Sequence, residues 1–365
     1  MNSIYEKYAK VLINYSLEIK KGQRLLIMSS YLAQPLLNEC YKEALKAGAF
    51  PELRVDINGT DKVFYDYAGP EQLEYVSPLT KYVYDNYDAM LRIEALFNVK
   101  ELQNVDPAKK QAASMARAEL NRVFMKRAAQ DSLRWTLCVF PTDSMAQEAG
   151  MSLSEYEEFV YSACFLFDDN PVAQWNRLKD DQQKMVDLLN KKTLIRFAGS
   201  DIDISFSTKG KTWLNSGGTT NMPSGEVFTA PLEDSVNGRI RFSYPGIFMG
   251  QEIEDIVLEV KSGEVVGWDA KKGKELLANL MDIPGARRFG EVAIGTNYGI
   301  TKFTRNMLFD EKIGGTIHMA VGAAYPQTGG TNESSVHWDL LADMKTGGRI
   351  FADDELIYEN GKFII

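Results

Sequence analysis

The chain holds only two histidines, His318 and His337, and both fall in its last third, with Tyr325 between them. The second opens the triplet His337-Trp338-Asp339. In an extended strand residues i and i+2 face the same way, so this imidazole and carboxylate would converge while Trp338 packs behind. Such a pair is half of a divalent-cation site. The alternative is a structural histidine bonded to a neighbouring carboxylate. Three further segments carry side chains of the same kind. In Asn221-Met222-Pro223-Ser224-Gly225-Glu226 a tight turn delivers Glu226 to the start of an apolar strand. A carboxylate there is costly to bury without a partner, unless it simply faces solvent. Glu291 follows Gly290 into a second apolar run, where an ion pair with Arg287 or Arg288 is the competing explanation. Thr316, His318 and Ala320 share one face of a third strand, and the glycines after it let Tyr325 fold back over that face. A satisfied core histidine and a packing tyrosine are the alternatives there.

Taken together, these segments supply two imidazoles, three carboxylates and a phenol. Two divalent ions would be balanced by the three carboxylates and one bridging hydroxide, which avoids burying unpaired charge. Ions roughly 3.5–4 Å apart can also acidify a shared water and clamp a tetrahedral intermediate. Other chemistries find no support. G-x-S-x-G and H-E-x-x-H are absent, as are G-x-G-x-x-G and the phosphate loop, and Lys209-Gly210-Lys211-Thr212 reads as a turn. Asp201 and Asp203 form a same-face pair best explained as solvent-facing alternation. Cys40, Cys138 and Cys164 are widely spaced in apolar sequence, as buried free thiols of a reducing compartment would be; a cysteine nucleophile is the lesser alternative.

The elements that must position these groups form two patterns. Residues 1–190 alternate helices with short apolar strands near 24–28, 53–57, 90–95 and 135–140, which predicts an α/β domain with a mostly parallel sheet. A stretch rich in Ala, Arg, Lys and Met, 109–127, predicts one helix between the last two strands, and two more helices follow over 152–167 and 172–189. Residues 191–365 change to short β runs separated by Gly, Asn and Ser turns, with one helix over 272–281. They predict a β-rich (α+β) domain with antiparallel pairing that carries the site. At 365 residues two domains are the default. A net charge of −9 gives no nucleic-acid or anionic-membrane footprint. No run approaches the roughly 18 apolar residues of a membrane span, and the N-terminus has no apolar signal core, so a cytoplasmic protein is expected.

The four site segments, in order, resemble the thermophilic aminopeptidase family, the dimetal metallopeptidases that include staphylococcal-type aminopeptidase S. The resemblance covers residues 190–365 best. It implies that Glu226, Glu291, His318, His337 and Asp339 are metal ligands, with one glutamate bridging two ions. Tyr325 would bind a metal or donate to the developing oxyanion, and Glu226 or Glu291 would shuttle the proton to the leaving amine. It further implies zinc or cobalt, a peptide substrate cut at its N-terminal residue, and a homodimer. The rivals are a dimetal hydrolase of another amide or a phosphoester, and a catalytically silent peptide-binding relative. One departure bears on substrate access: the family's chains are longer, and its loop between the histidine motifs exceeds the 19 positions found here.

Overall fold

The computed structural model describes residues 3–248 and 250–364. Contacts divide the chain into two compact units. One runs to Val172 and includes Gly218–Pro223; the other comprises Ala173–Gly217 and the chain from Ser224 onward. The division expected at 190 thus falls at the far end of the helix Pro171–Leu189. That helix sits with the second unit because its C-terminal apolar residues Val186 and Leu189 are buried in that unit's core.

In the first unit five strands pair in parallel, in the order Phe50–Asp56, Arg24–Ser30, Ala89–Glu94, Arg134–Val139, Asn221–Met222. Arg24–Ser30 and Ala89–Glu94 are nearly continuous apolar runs, as strands covered on both faces require. The helix Gln34–Lys46 buries Leu36, Leu37, Cys40 and Ala44, the stripe its spacing predicts. The single helix expected over 109–127 is two, Pro107–Ala116 and Ala118–Ala129, broken at Arg117, which no glycine or proline marks. The helices Thr60–Tyr67 and Pro78–Asn86 bury no residue and so leave no core stripe to read in the sequence. All three cysteines are buried and outside any disulfide, and burial pushes their thiols up, that of Cys164 to about 12. Protonated thiols without a nearby imidazole do not make a nucleophile.

The second unit is antiparallel and β-rich. An eight-stranded sheet and a five-stranded sheet enclose one hydrophobic core. Phe197, Phe206, Ile240 and Leu258 come from the larger sheet, and Val292, Ile294, Ile317, Met319 and Leu340 from the smaller. The smaller sheet has the order His337–Asp343, Thr316–Gly322, Phe289–Gly295, Glu226–Thr229, Leu214–Ser216. Every residue of Phe289–Gly295 and Thr316–Gly322 is buried, although only alternate residues reach the core. Its other face is therefore also shut off from water. Asp201 and Asp203 lie at the surface, paired with Arg239, Arg241 and Arg196, and take no part in that face. Among the described residues no helix is long and apolar enough to cross a membrane.

Gln182 ties the long helix to this sheet. It is fully buried, and its Nε2 donates to the Glu226 carbonyl at 2.7 Å and to Thr296 Oγ1 at 3.1 Å. Gln182→Leu leaves the Glu226 carbonyl without that donor, so the second unit should lose about 1–3 kcal/mol. A fall in the denaturant midpoint of the full chain checks this; an unchanged midpoint contradicts it.

Candidate metal centre

The face of the small sheet turned away from the core gathers the polar side chains. Glu291 pairs with Ala320, which pairs in turn with Asp339, so the two carboxylates flank a bare methyl group across three strands. His318 stands two residues before Ala320 on the same face, and His337 stands two before Asp339. A bulge between Phe289 and Glu291 sends Phe289 into the core while Glu291 turns outward. Gly290 sits at that bulge, and a Cβ there would meet the Ala323 carbonyl oxygen at 2.2 Å. Glu226 enters from Gly225, whose φ of +124° suits glycine and whose close approach to Asn297 leaves no room for a side chain.

These elements bring the carboxylates around two imidazole nitrogens. His318 Nε2 lies 3.6 Å from Glu226 Oε2, 3.6 Å from Glu291 Oε1 and 3.9 Å from Asp339 Oδ1. His337 Nε2 lies 3.1 Å from Glu291 Oε2 and 3.5 Å from Asp339 Oδ1. Each Nδ1 faces a backbone carbonyl, that of Glu311 at 3.0 Å for His318 and that of Ala323 at 2.7 Å for His337. A carbonyl only accepts, so Nδ1 carries the hydrogen in both rings and Nε2 points into the cluster. The Tyr325 ring stands 4.9 Å from the His337 ring and packs edge-on against Phe228. Trp338 packs behind, its Nε1 donating to the Ile247 carbonyl.

The alternatives raised for the two glutamates fare poorly against this geometry. Glu226 is 6% exposed and does not face solvent. Arg287 reaches the Met281 carbonyl and Asp282, and Arg288 the Glu233 carbonyl, so neither pairs with Glu291. Two residues that sequence reasoning missed also join the cluster. Glu311 and His318 belong with Asp339 to one trio of metal-capable groups, and the fully buried Lys312 pairs with Glu311 and with Glu226 Oε1 at 3.7 Å. In sequence, Asp310-Glu311-Lys312 reads as a solvated charge run, and nothing local signals otherwise.

The electrostatics are those of a site short of positive charge. Burial alone would lower both imidazoles, but the carboxylates outweigh it and lift His318 to about 9 and His337 to about 11. Burial, then the like charges of Glu311 and Glu291, raise Glu226 to about 7 against the pull of Lys312 and His318. Burial would raise Glu291 and Asp339 too, yet the facing imidazoles hold both below the usual carboxylate range. Burial and the surrounding carboxylates push the Tyr325 phenol well up. Glu226 Oε2 and Asp339 Oδ1 are buried and have no hydrogen-bond partner.

Orphaned carboxylate oxygens gathered around two inward-pointing imidazole nitrogens fit divalent cations, which would replace the Nε2 protons. Three trios have donor atoms within 4.8 Å of one another: Glu226, Glu291 and His318; Glu291, His337 and Asp339; Glu311, His318 and Asp339. Glu291 belongs to two of them, with one oxygen turned toward each imidazole. Nitrogen and carboxylate donors of this kind, on a rigid sheet, are those that metal-dependent hydrolases use. The chain belongs to the thermophilic metalloprotease (M29) family, which it matches over residues 1–363. It is similar to aminopeptidase 2 of Geobacillus stearothermophilus, 28% identical over 94% of this chain and 93% of that one. It is also similar to aminopeptidase AmpS of Bacillus subtilis, 26% identical over the whole of both chains. That alignment runs to 423 positions, so the relative carries residues this 365-residue chain lacks. Among solved structures, wild-type AmpT from Thermus thermophilus superposes with a TM-score of 0.84 at 25% identity, covering 99% of each chain.

The shifts predict a pH dependence for the metal-free protein. A group whose pKa is raised by folding contributes stability that is complete below its unfolded value and lost as pH climbs through the folded one. For His318 and His337 that window opens near pH ~6.5 and extends to about 9 and about 11. Glu226, raised to about 7, acts in the same direction at lower pH. The melting temperature of chelator-treated protein should fall between pH 7 and 10, and a divalent ion should remove most of that fall. Identical profiles with and without metal would contradict the assignment of this cluster to metal binding.

Proposed function

We propose that this chain is a metal-dependent aminopeptidase that holds two divalent ions, zinc or cobalt, through Glu226, Glu291, His318, Tyr325, His337 and Asp339. The observation that carries the reading is Glu291, whose two oxygens each face a different imidazole, at 3.6 Å and 3.1 Å, so that it would serve both ions. When bound, the ions would supply a water nucleophile at neutral pH and polarise the scissile carbonyl. The chain's own residues do the rest. His318 and His337, locked by their Nδ1 bonds, hold Nε2 in place. Glu226 or Glu291 would move the proton from water to the leaving amine. Tyr325 would bind an ion or, with its phenol kept protonated, donate to the oxyanion. Buried reduced thiols support a cytoplasmic protein, and the family resemblance supports a homodimer.

Aminoacyl-anilides with a free α-amine should be cleaved, their N-acetylated counterparts should not, and a phosphodiester dye should be inert. Chelation should abolish turnover, and zinc, cobalt or manganese should be tested for restoring it. His318→Ala and His337→Ala should each lose more than about 100-fold in activity along with bound metal. Full turnover by both variants at wild-type metal content is incompatible with the proposal, and cleavage of the phosphodiester alone would assign the centre to the rival chemistry.

A further inference from the structure

Lys312 is fully buried, which a lysine tolerates only when its ammonium is paired. Its partners are Glu311 and Oε1 of Glu226, the latter at 3.7 Å. Its main chain is anchored beside the cluster: Lys312 N donates to the Phe309 carbonyl at 3.0 Å, and the Lys312 carbonyl accepts from Asn297 N at 3.1 Å. The neighbouring Glu311 carbonyl faces His318 Nδ1. Two consecutive residues therefore address two different members of the cluster. With one oxygen of Glu226 engaged by the ammonium, the other, Oε2, stands 3.6 Å from His318 Nε2 without a hydrogen-bond partner.

We propose that Lys312 is a positioning residue for the metal centre: it holds Glu226 by Oε1 and so presents Oε2 to the cluster. The inference rests on the metal reading above and deepens it. Two effects of the ammonium oppose each other. As a positive charge it repels cations, so charge alone predicts that its removal tightens metal binding. As a clamp on a donor carboxylate it preorganises the site, and loss of such a partner weakens metal binding by about 10–100-fold. The proposal states that the clamp wins.

The test is zinc affinity of the full chain, read by competition with a chromophoric chelator and without any activity measurement. Lys312→Met keeps the length and removes the ammonium; zinc binding should weaken by about 10–100-fold. Lys312→Gln keeps an N–H donor without charge and should fall between Lys312→Met and the wild type. Affinity in Lys312→Met equal to or tighter than wild type overturns the proposal. If circular dichroism shows that Lys312→Met does not fold, Lys312→Gln decides: weaker binding than wild type supports the clamp, and equal or tighter binding overturns it. A wild-type protein that takes up no zinc, cobalt or manganese would instead sink the metal reading on which the clamp rests.

Discussion

Buried negative charge is the constraint from which the second unit is built. Glu226, Glu291, Glu311 and Asp339 converge where water is largely excluded, and Lys312 is the permanent cation among the groups that face them. Carboxylates in such a place are costly unless positive charge is brought to them. The metal-free protein meets the demand by lifting its imidazoles, which draw protons to Nε2. In the proposed site divalent cations would meet it better, because they would engage both Nε2 atoms and the orphaned oxygens of Glu226 and Asp339 at once. Family membership as a metalloprotease and the local electrostatics thus describe one and the same deficit of positive charge.

The scaffold keeps those donors still. One set of alternate residues in the small sheet enters a core shared with the larger sheet, and the other set carries the cluster. Gln182 anchors the backbone of Glu226 from the helix, and carbonyls of Glu311 and Ala323 set the imidazole orientations. Glu226, His318 and His337 are thereby each supported by a group from a different segment. That distribution preorganises the cluster without any one loop bearing it.

Much of this was legible in the sequence, for reasons of periodicity. Period-two spacing put His337 with Asp339 and His318 with Ala320 on one face, and strand geometry preserves that relation whatever the tertiary fold. The parallel layer and the strand-rich second half were readable from continuous apolar runs and from turn-separated short ones. What escaped depends on contacts remote in sequence. Lys312 looks like a surface charge until Glu226 is folded against it, and Gln182 looks like a solvated helix residue until the Glu226 strand passes beneath it. The bulge at Gly290 likewise changes which face Glu291 occupies relative to Phe289, and no rule of alternation predicts it. The helix break at Arg117 lacks a breaker residue, which is why composition alone joins the two halves.

The strict alternation of core-facing and site-facing residues along Thr316–Gly322 carries one further implication. Sliding this strand by a single position against its neighbours would drive His318 into the oily interior and push Ile317 and Met319 among the carboxylates. Such a mispaired chain would forfeit cohesion and cation capture in the same stroke. Packing of the core and assembly of the reactive centre therefore depend on one and the same register.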